Sequence, residues 1–336
     1  MSRNIFKGLG IALITPFTQD GEVDYAALQR LIRYQLDNGA DFFCILATTG
    51  EAPCLSRDEK DKITEVVKEI TNGRVPILKY CGGNNTREVV AEIQETDWSG
   101  IDGILSICPY YNKPSQEGLY QHFKTISQAS PLPIVLYNVP GRTGVNMKPE
   151  TIVRLARECH NIVGVKEASG SLEQVDEIIK NKPDGFEVIS GDDALTFSMV
   201  ASGAIGVISV IGNALPKEFS RMIRLEFKGE YDPARTIHHR FTELYKLLFV
   251  DGNPAGVKAL LNDMGYIENV LRLPLVPTTI AAASTVLSLP EMMPAWSSCR
   301  PVSYLPISTL PDIHWLMLTT TTPRLLASRS SLIIHG

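Results

Sequence analysis

A lysine closes the short apolar run Ile162-Val163-Gly164-Val165-Lys166, and the residues that follow neighbouring runs are of types that handle carbonyl chemistry. If the run is a strand, side-chain alternation puts Lys166 and Glu167 on opposite faces. A lysine turned toward an apolar interior loses hydration, which disfavours its ammonium form. A neutral amine can attack a ketone carbonyl and give an imine. Position alone favours the plainer assignment, a strand-end lysine that reaches solvent, because buried lysines are rare. The neighbours tip the balance the other way. Tyr137 ends the preceding run and can lie beside Lys166, where a phenol moves protons; alone it would be an ordinary rim tyrosine. Thr48 and Thr49 precede Gly50, so their backbone N–H groups can cradle a carboxylate, or simply shape a turn. Arg142 can clamp a second carboxylate in bidentate fashion, although most arginines are surface residues.

These residues need a scaffold that brings separate run ends together. Eight apolar runs serve: 10–14, 42–47, 76–81, 103–107, 133–137, 162–165, 186–189 and 205–209. Near-continuous apolar strands belong to a parallel sheet covered on both faces. Amphipathic stretches separate them. Asp24 can N-cap a helix ending at Gly39, and Ser56 with Glu59 has capping-box spacing. Thr86, Ser115, Ser171 and Asp193 are candidate starts for later helices. Eightfold alternation over roughly 220 residues fits an α/β fold of the (β/α)8 TIM-barrel type, whose active site lies at the C-terminal ends of the strands. An open doubly wound sheet is the alternative, but its Gly-rich turn after the first strand is absent. The expected organisation is a catalytic barrel over residues 1–228 and a C-terminal helical layer over 229–280. The layer includes helical stretches at 231–249 and 254–264.

Residues 281–336 form an atypical tail. No Lys or Glu follows Glu291, and no helical or strand period emerges. We expect this tail to be poorly ordered or loosely packed. A reading-frame change near residues 281–288 would account for it; an apolar docking segment is the competing reading. The tail is expected to disturb packing of the helical layer without itself touching the barrel mouth.

The 336 residues carry a net charge of −5, and there is no Lys/Arg cluster, which argues against a nucleic-acid partner. With 44% apolar and 21% charged residues the chain reads as a soluble globular protein. The six cysteines include no Cys-x-x-Cys pair, so neither a disulfide framework nor a metal site is expected. No apolar run has membrane-spanning length, and MSRNIFKGLG lacks a secretory apolar core, so a cytoplasmic protein is expected.

Several motifs now combine: TTGE (48–51), PYYNKPSQEGLYQHF (109–123), YNVPGRTG (137–144), GVKEASG (164–170), SGDD (190–193) and GVISV (206–210). Over about residues 6–279 the chain resembles the dihydrodipicolinate synthase/N-acetylneuraminate lyase family of class I aldolases. The resemblance implies a Schiff base between Lys166 and pyruvate, and a proton relay of Tyr137, Thr48 and Tyr111, the last from a neighbouring subunit. It implies that Thr48 and Thr49 hold the pyruvate carboxylate, that Arg142 holds the carboxylate of aspartate semialdehyde, and that Gly191 and the Ile208 carbonyl line the pyruvate end. It also implies a homotetramer, no metal and no organic cofactor. The implied reaction condenses pyruvate with aspartate semialdehyde in diaminopimelate and lysine biosynthesis. A lyase for sialic acid or a keto-deoxy sugar acid, or an inactive binding paralogue, are the alternatives. The family's lysine-effector pocket is matched at Asn84, Glu88 and Tyr110. Arg57, Lys60 and Ala52 depart from it, and the added positive charge implies weak lysine inhibition.

Overall fold

The computed structural model of the chain describes residues 5–278. Eight parallel strands close into a barrel in chain order. They are β1 (Gly8–Ala12), β2 (Phe42–Ile45), β3 (Ile77–Tyr80), β4 (Gly103–Ile107), β5 (Ile134–Asn138), β6 (Ile162–Glu167), β7 (Glu187–Ser190) and β8 (Gly206–Ser209). Around them run α1 (Tyr25–Asp37), α2 (Arg57–Thr71), α3 (Thr86–Glu95), α4 (Gln116–Ala129), the single turn α5 (Pro140–Thr143), α6 (Pro149–Glu158), α7 (Leu172–Asn181), α8 (Thr196–Ser202) and α9 (Pro216–Phe227). Then come α10 (Tyr231–Arg240), α11 (Thr242–Leu247) and α12 (Ala255–Asp263). No helix among the described residues is long and apolar enough to cross a membrane. The expectations for residues 281–336 lie outside the described residues.

All eight apolar runs form strands, because each is buried by side chains inside the barrel and by helices outside it. Ala12, Phe42, Cys44, Leu78, Leu105, Val135, Ile189 and Ile208 belong to a buried apolar cluster separate from those under the helices. The sheet closes where β1 meets β8, with Gly8 opposite Gly206. Gly206 has φ +149°, and a Cβ there would lie 2.1 Å from the Gly8 carbonyl oxygen, so closure requires glycine.

Local capping follows the sequence where partners are local. Asp24, Ser115 and Ser171 accept from backbone N–H groups of their own helices, and Ser56 with Glu59 forms the full capping box. Thr86 starts α3, with Asn85 as its cap. Two details differ. β1 begins and ends two residues earlier than its apolar run, because Leu13 and Ile14 pack as buried residues beyond the strand. Asp193 caps no helix: its buried carboxylate accepts from the N–H groups of Val210 (3.0 Å) and Ile211 (2.8 Å), while α8 starts at Thr196 without a side-chain cap. Burial raises the Asp193 carboxyl to about 6, against those two hydrogen bonds. The stretch 231–249 divides into α10 and α11 at Phe241.

Candidate active site

The ends of β5 and β6 place the two reacting candidates side by side. Tyr137 and Lys166 are opposite each other in the β5–β6 register, and Lys166 faces Ile189 across the β6–β7 register. Registered neighbours in a parallel sheet share a face, so Lys166 points with Tyr137 and Ile189 into the barrel. Both are buried, Lys166 at 6% and Tyr137 at 5% exposure. The Lys166 Nζ stands 4.3 Å from the centre of the Tyr137 ring, a cation–π distance. Its charge is felt by Cys44 on β2: burial pushes that thiol up to about 11, and Lys166 acts against the rise. Gly191 leaves the room this lysine needs. A Cβ there would lie 2.7 Å from the Ala168 Cβ and 3.1 Å from the Lys166 Cε. Ile208 is buried on β8 in the same interior cluster as Tyr137.

After β2 the chain makes a 3-10 turn, Thr48–Gly50. Among the described residues the N–H groups of Thr48 and Thr49 donate to no acceptor, which leaves two donors at the mouth of the barrel. Thr15 Oγ1 donates to the Gly50 carbonyl at 2.7 Å and pins the turn from below. Glu51 follows in the left-handed region (φ 54°), a conformation that costs a non-glycine residue about 1 kcal/mol or more.

The helical layer holds that conformation. Lys258 on α12 makes an ion pair with Glu51 at 2.5 Å, and both side chains are fully buried. The Lys258 Nζ also donates to the Val270 carbonyl (2.9 Å) and lies over the Phe17 ring. Burial pulls the Lys258 ammonium down to about 8, with Glu51 working to keep it charged. The Arg272 N–H donates to the other Glu51 oxygen at 3.1 Å, and the Arg272 guanidinium grips Glu59 of α2. Arg272 holds the Glu59 carboxyl at about 2. Asn253 donates to Thr49 Oγ1 at 2.9 Å. Sequence reasoning passed over Asn253, Lys258 and Arg272. Their one visible signal was Lys258 inside the apolar first seven residues of the helix Ala255–Asp263.

A cavity of about 1050 Å3 runs from this turn toward α2 and α3. Its lining includes Thr48, Ile107, Arg142 and Asn253 as well as Arg57, Lys60, Glu88 and Tyr110. Ile107 is the registered neighbour of Tyr137, so the cavity reaches the strand beside the reacting pair. Arg142 sits exposed on α5 and pairs with no carboxylate among the described residues. Asn84 lies outside the lining but donates to the Tyr110 carbonyl at 3.1 Å, which fixes the Tyr110 backbone. Tyr111 points away from this grouping. Its side chain is 89% exposed on a backbone with φ 70°, and Lys113 is also left-handed. The structure therefore groups Lys166 with Tyr137, Gly191 and Ile208, lines one cavity with Thr48 and Arg142, and leaves Tyr111 exposed. No group of three or more His, Cys, Asp or Glu residues suited to a metal occurs among the described residues.

Comparison with known proteins gives a consistent result. Residues 5–289 match the dihydrodipicolinate synthetase family. The 4-hydroxy-tetrahydrodipicolinate synthase of Phocaeicola vulgatus is 61% identical over 280 residues, 83% of this chain and 94% of that protein. The crystal structure of dihydrodipicolinate synthase from Thermotoga maritima superimposes with a TM-score of 0.83 at 41% identity, covering 88% of this chain and 99% of that one. A monomeric dihydrodipicolinate synthase variant gives 0.82 at 41% identity, with 88% and 98% coverage. An eight-stranded barrel with an inward lysine beside a tyrosine, and a match across more than four-fifths of its length, place the chain in the dihydrodipicolinate synthetase family.

Proposed function

We propose that this protein is a lyase of the aldolase type, a 4-hydroxy-tetrahydrodipicolinate synthase that condenses pyruvate with aspartate semialdehyde. The observation that carries the reading is the buried, in-register pair Tyr137–Lys166 inside the barrel. The Lys166 amine attacks the pyruvate ketone, and water leaves to give a protonated imine. That imine is the electron sink, so loss of a methyl proton yields an enamine without a metal or organic cofactor. Tyr137, with the Thr48 hydroxyl and Tyr111 of a neighbouring subunit, passes protons during these steps. The Thr48 and Thr49 turn holds the pyruvate carboxylate, with Gly191 and the Ile208 carbonyl closing that end. The enamine carbon then bonds to the aldehyde carbon of aspartate semialdehyde, whose carboxylate Arg142 clamps. The substrate's own amino group displaces Lys166 and closes the ring.

Tyr111 also bears on assembly. An exposed aromatic ring on a left-handed backbone is a costly arrangement that a second subunit would satisfy, which supports a homotetramer built from dimers. Asn84, Glu88 and Tyr110 form a lysine-effector pocket weakened by Arg57 and Lys60, which line the same cavity as Glu88 and Tyr110. The test of the main reading is a substrate panel. Turnover should occur with pyruvate and aspartate semialdehyde, and cleavage of sialic acid or a keto-deoxy sugar acid at comparable kcat/KM would overturn it. A lysine inhibition constant below micromolar would overturn the weak-effector reading.

A further inference from the structure

One register step beyond the reacting pair lies a second pair that faces the other way. Asn138 and Glu167 are opposite each other in the β5–β6 ladder, directly after Tyr137 and Lys166. Alternation turns them outward, under helix α7. Glu167 is 1% exposed, and among the described residues its partners are uncharged donors. Its carboxylate is held by amides alone: Asn138 Nδ2 at 3.0 Å, Gln174 Nε2 at 3.1 Å and the Ser169 N–H at 2.7 Å. Buried carboxylates without a cation are uncommon and need several donors. Asn138 is equally committed. Its Oδ1 accepts from the Met147 N–H at 2.9 Å, and its Nδ2 donates to Asn146 Oδ1 at 2.8 Å. Asn146 in turn donates to Gln174 Oε1 at 2.8 Å. These bonds close the segment from residue 139 to residue 146 onto the end of β5, and that segment carries Arg142.

We propose that Glu167 and Asn138 are positioning residues, which fix the strand ends bearing Lys166 and Tyr137 and the loop bearing Arg142 in one geometry. Neither touches the barrel interior; they act through the backbone they share with the reacting pair. The proposal rests on Lys166 being the Schiff-base amine. The network requires an acceptor at Glu167, because all three neighbours present hydrogens to it. Glu167→Gln keeps the shape but turns an amide donor against those donors. Asn138→Asp places two carboxylates in contact. The double variant restores one donor facing one acceptor.

The test measures the rate at which borohydride traps pyruvate on Lys166, together with kcat and the KM for aspartate semialdehyde. Each single variant should trap about tenfold or more slowly and raise that KM severalfold, since small misplacements of reacting groups are expensive. The double variant should recover at least part of both losses. If Glu167→Gln does not fold, Gln174→Met removes a single donor from the carboxylate and should give the same pattern in weaker form. Singles that trap and turn over like the unaltered protein overturn the proposal, as does a loss of melting temperature with kinetics unchanged. A double variant no better than the singles overturns it too. Unaltered protein that fails to trap pyruvate removes the Schiff-base reading itself, and the positioning role with it.

Discussion

The two halves of the barrel mouth are built on opposite plans. On the side proposed for pyruvate, Lys166 and Tyr137 are buried and set by register, Glu51 is held by Lys258 and Arg272, and Thr49 by Asn253. On the side proposed for the aldehyde Arg142, Tyr110 and Tyr111 are exposed, and the loop with Tyr111 and Lys113 is left-handed at two positions. The proposed roles account for the difference. An amine nucleophile gains from desolvation and from a geometry fixed before the substrate arrives. A group that receives the second substrate must stay open until that substrate binds.

The comparison breaks first at Tyr137. Tyr137→Phe preserves the packing of the buried half and removes only the proton carrier, so kcat should fall by about 10²–10⁴-fold with little change in melting temperature. An unchanged kcat in steady-state assays would remove Tyr137 from the chemistry. Lys258→Met tests whether the helical layer locks the threonine turn. Breaking one side of a buried ion pair should cost roughly 3–5 kcal/mol in denaturant unfolding, and the KM for pyruvate should rise. Arg142→Ala should act on the open half alone. Losing a charge-assisted clamp should raise the KM for aspartate semialdehyde by roughly 10–100-fold while leaving pyruvate trapping intact.

Glu226 separates burial from locking. It lies buried on α9, and neither carboxylate oxygen has a hydrogen-bond partner among the described residues. Burial raises its carboxyl to about 8 from an ordinary 4.5. A raised folded-state value means the folded form binds the proton more tightly, so stability is full below about 4.5 and declines as pH rises through 8. Glu226→Gln should therefore raise the melting temperature at pH 9 by a few degrees and leave it nearly unchanged at pH 5. An equal change at both values would contradict the assignment.

Much of the buried half was legible in the sequence. Strands covered on both faces leave apolar runs, and the ends of those runs named Tyr137, Lys166 and Thr48 without any knowledge of packing. The capping box at Ser56 and Glu59 was readable because its partners lie three residues apart. The supports of the site were not readable for the opposite reason. Asn253 and Thr49 are separated by 204 residues, and Arg272 and Glu51 by 221. Asp193 shows how a local signal misleads. Its type and place suit an N-cap, but the β8 loop offered two buried N–H groups that needed an acceptor more. Glu167 was placed correctly on the face opposite Lys166, yet its partners Asn138 and Gln174 converge only once β5, β6 and α7 are packed.

The central claim is that Lys166 is a nucleophile held ready before any substrate binds. Incubation of the protein with pyruvate and borohydride, followed by peptide mass spectrometry, tests it most directly. The account predicts a reduced pyruvate adduct on Lys166 alone, formed without aspartate semialdehyde and abolished by Lys166→Met. An unmodified Lys166, or an adduct on another lysine, would contradict it.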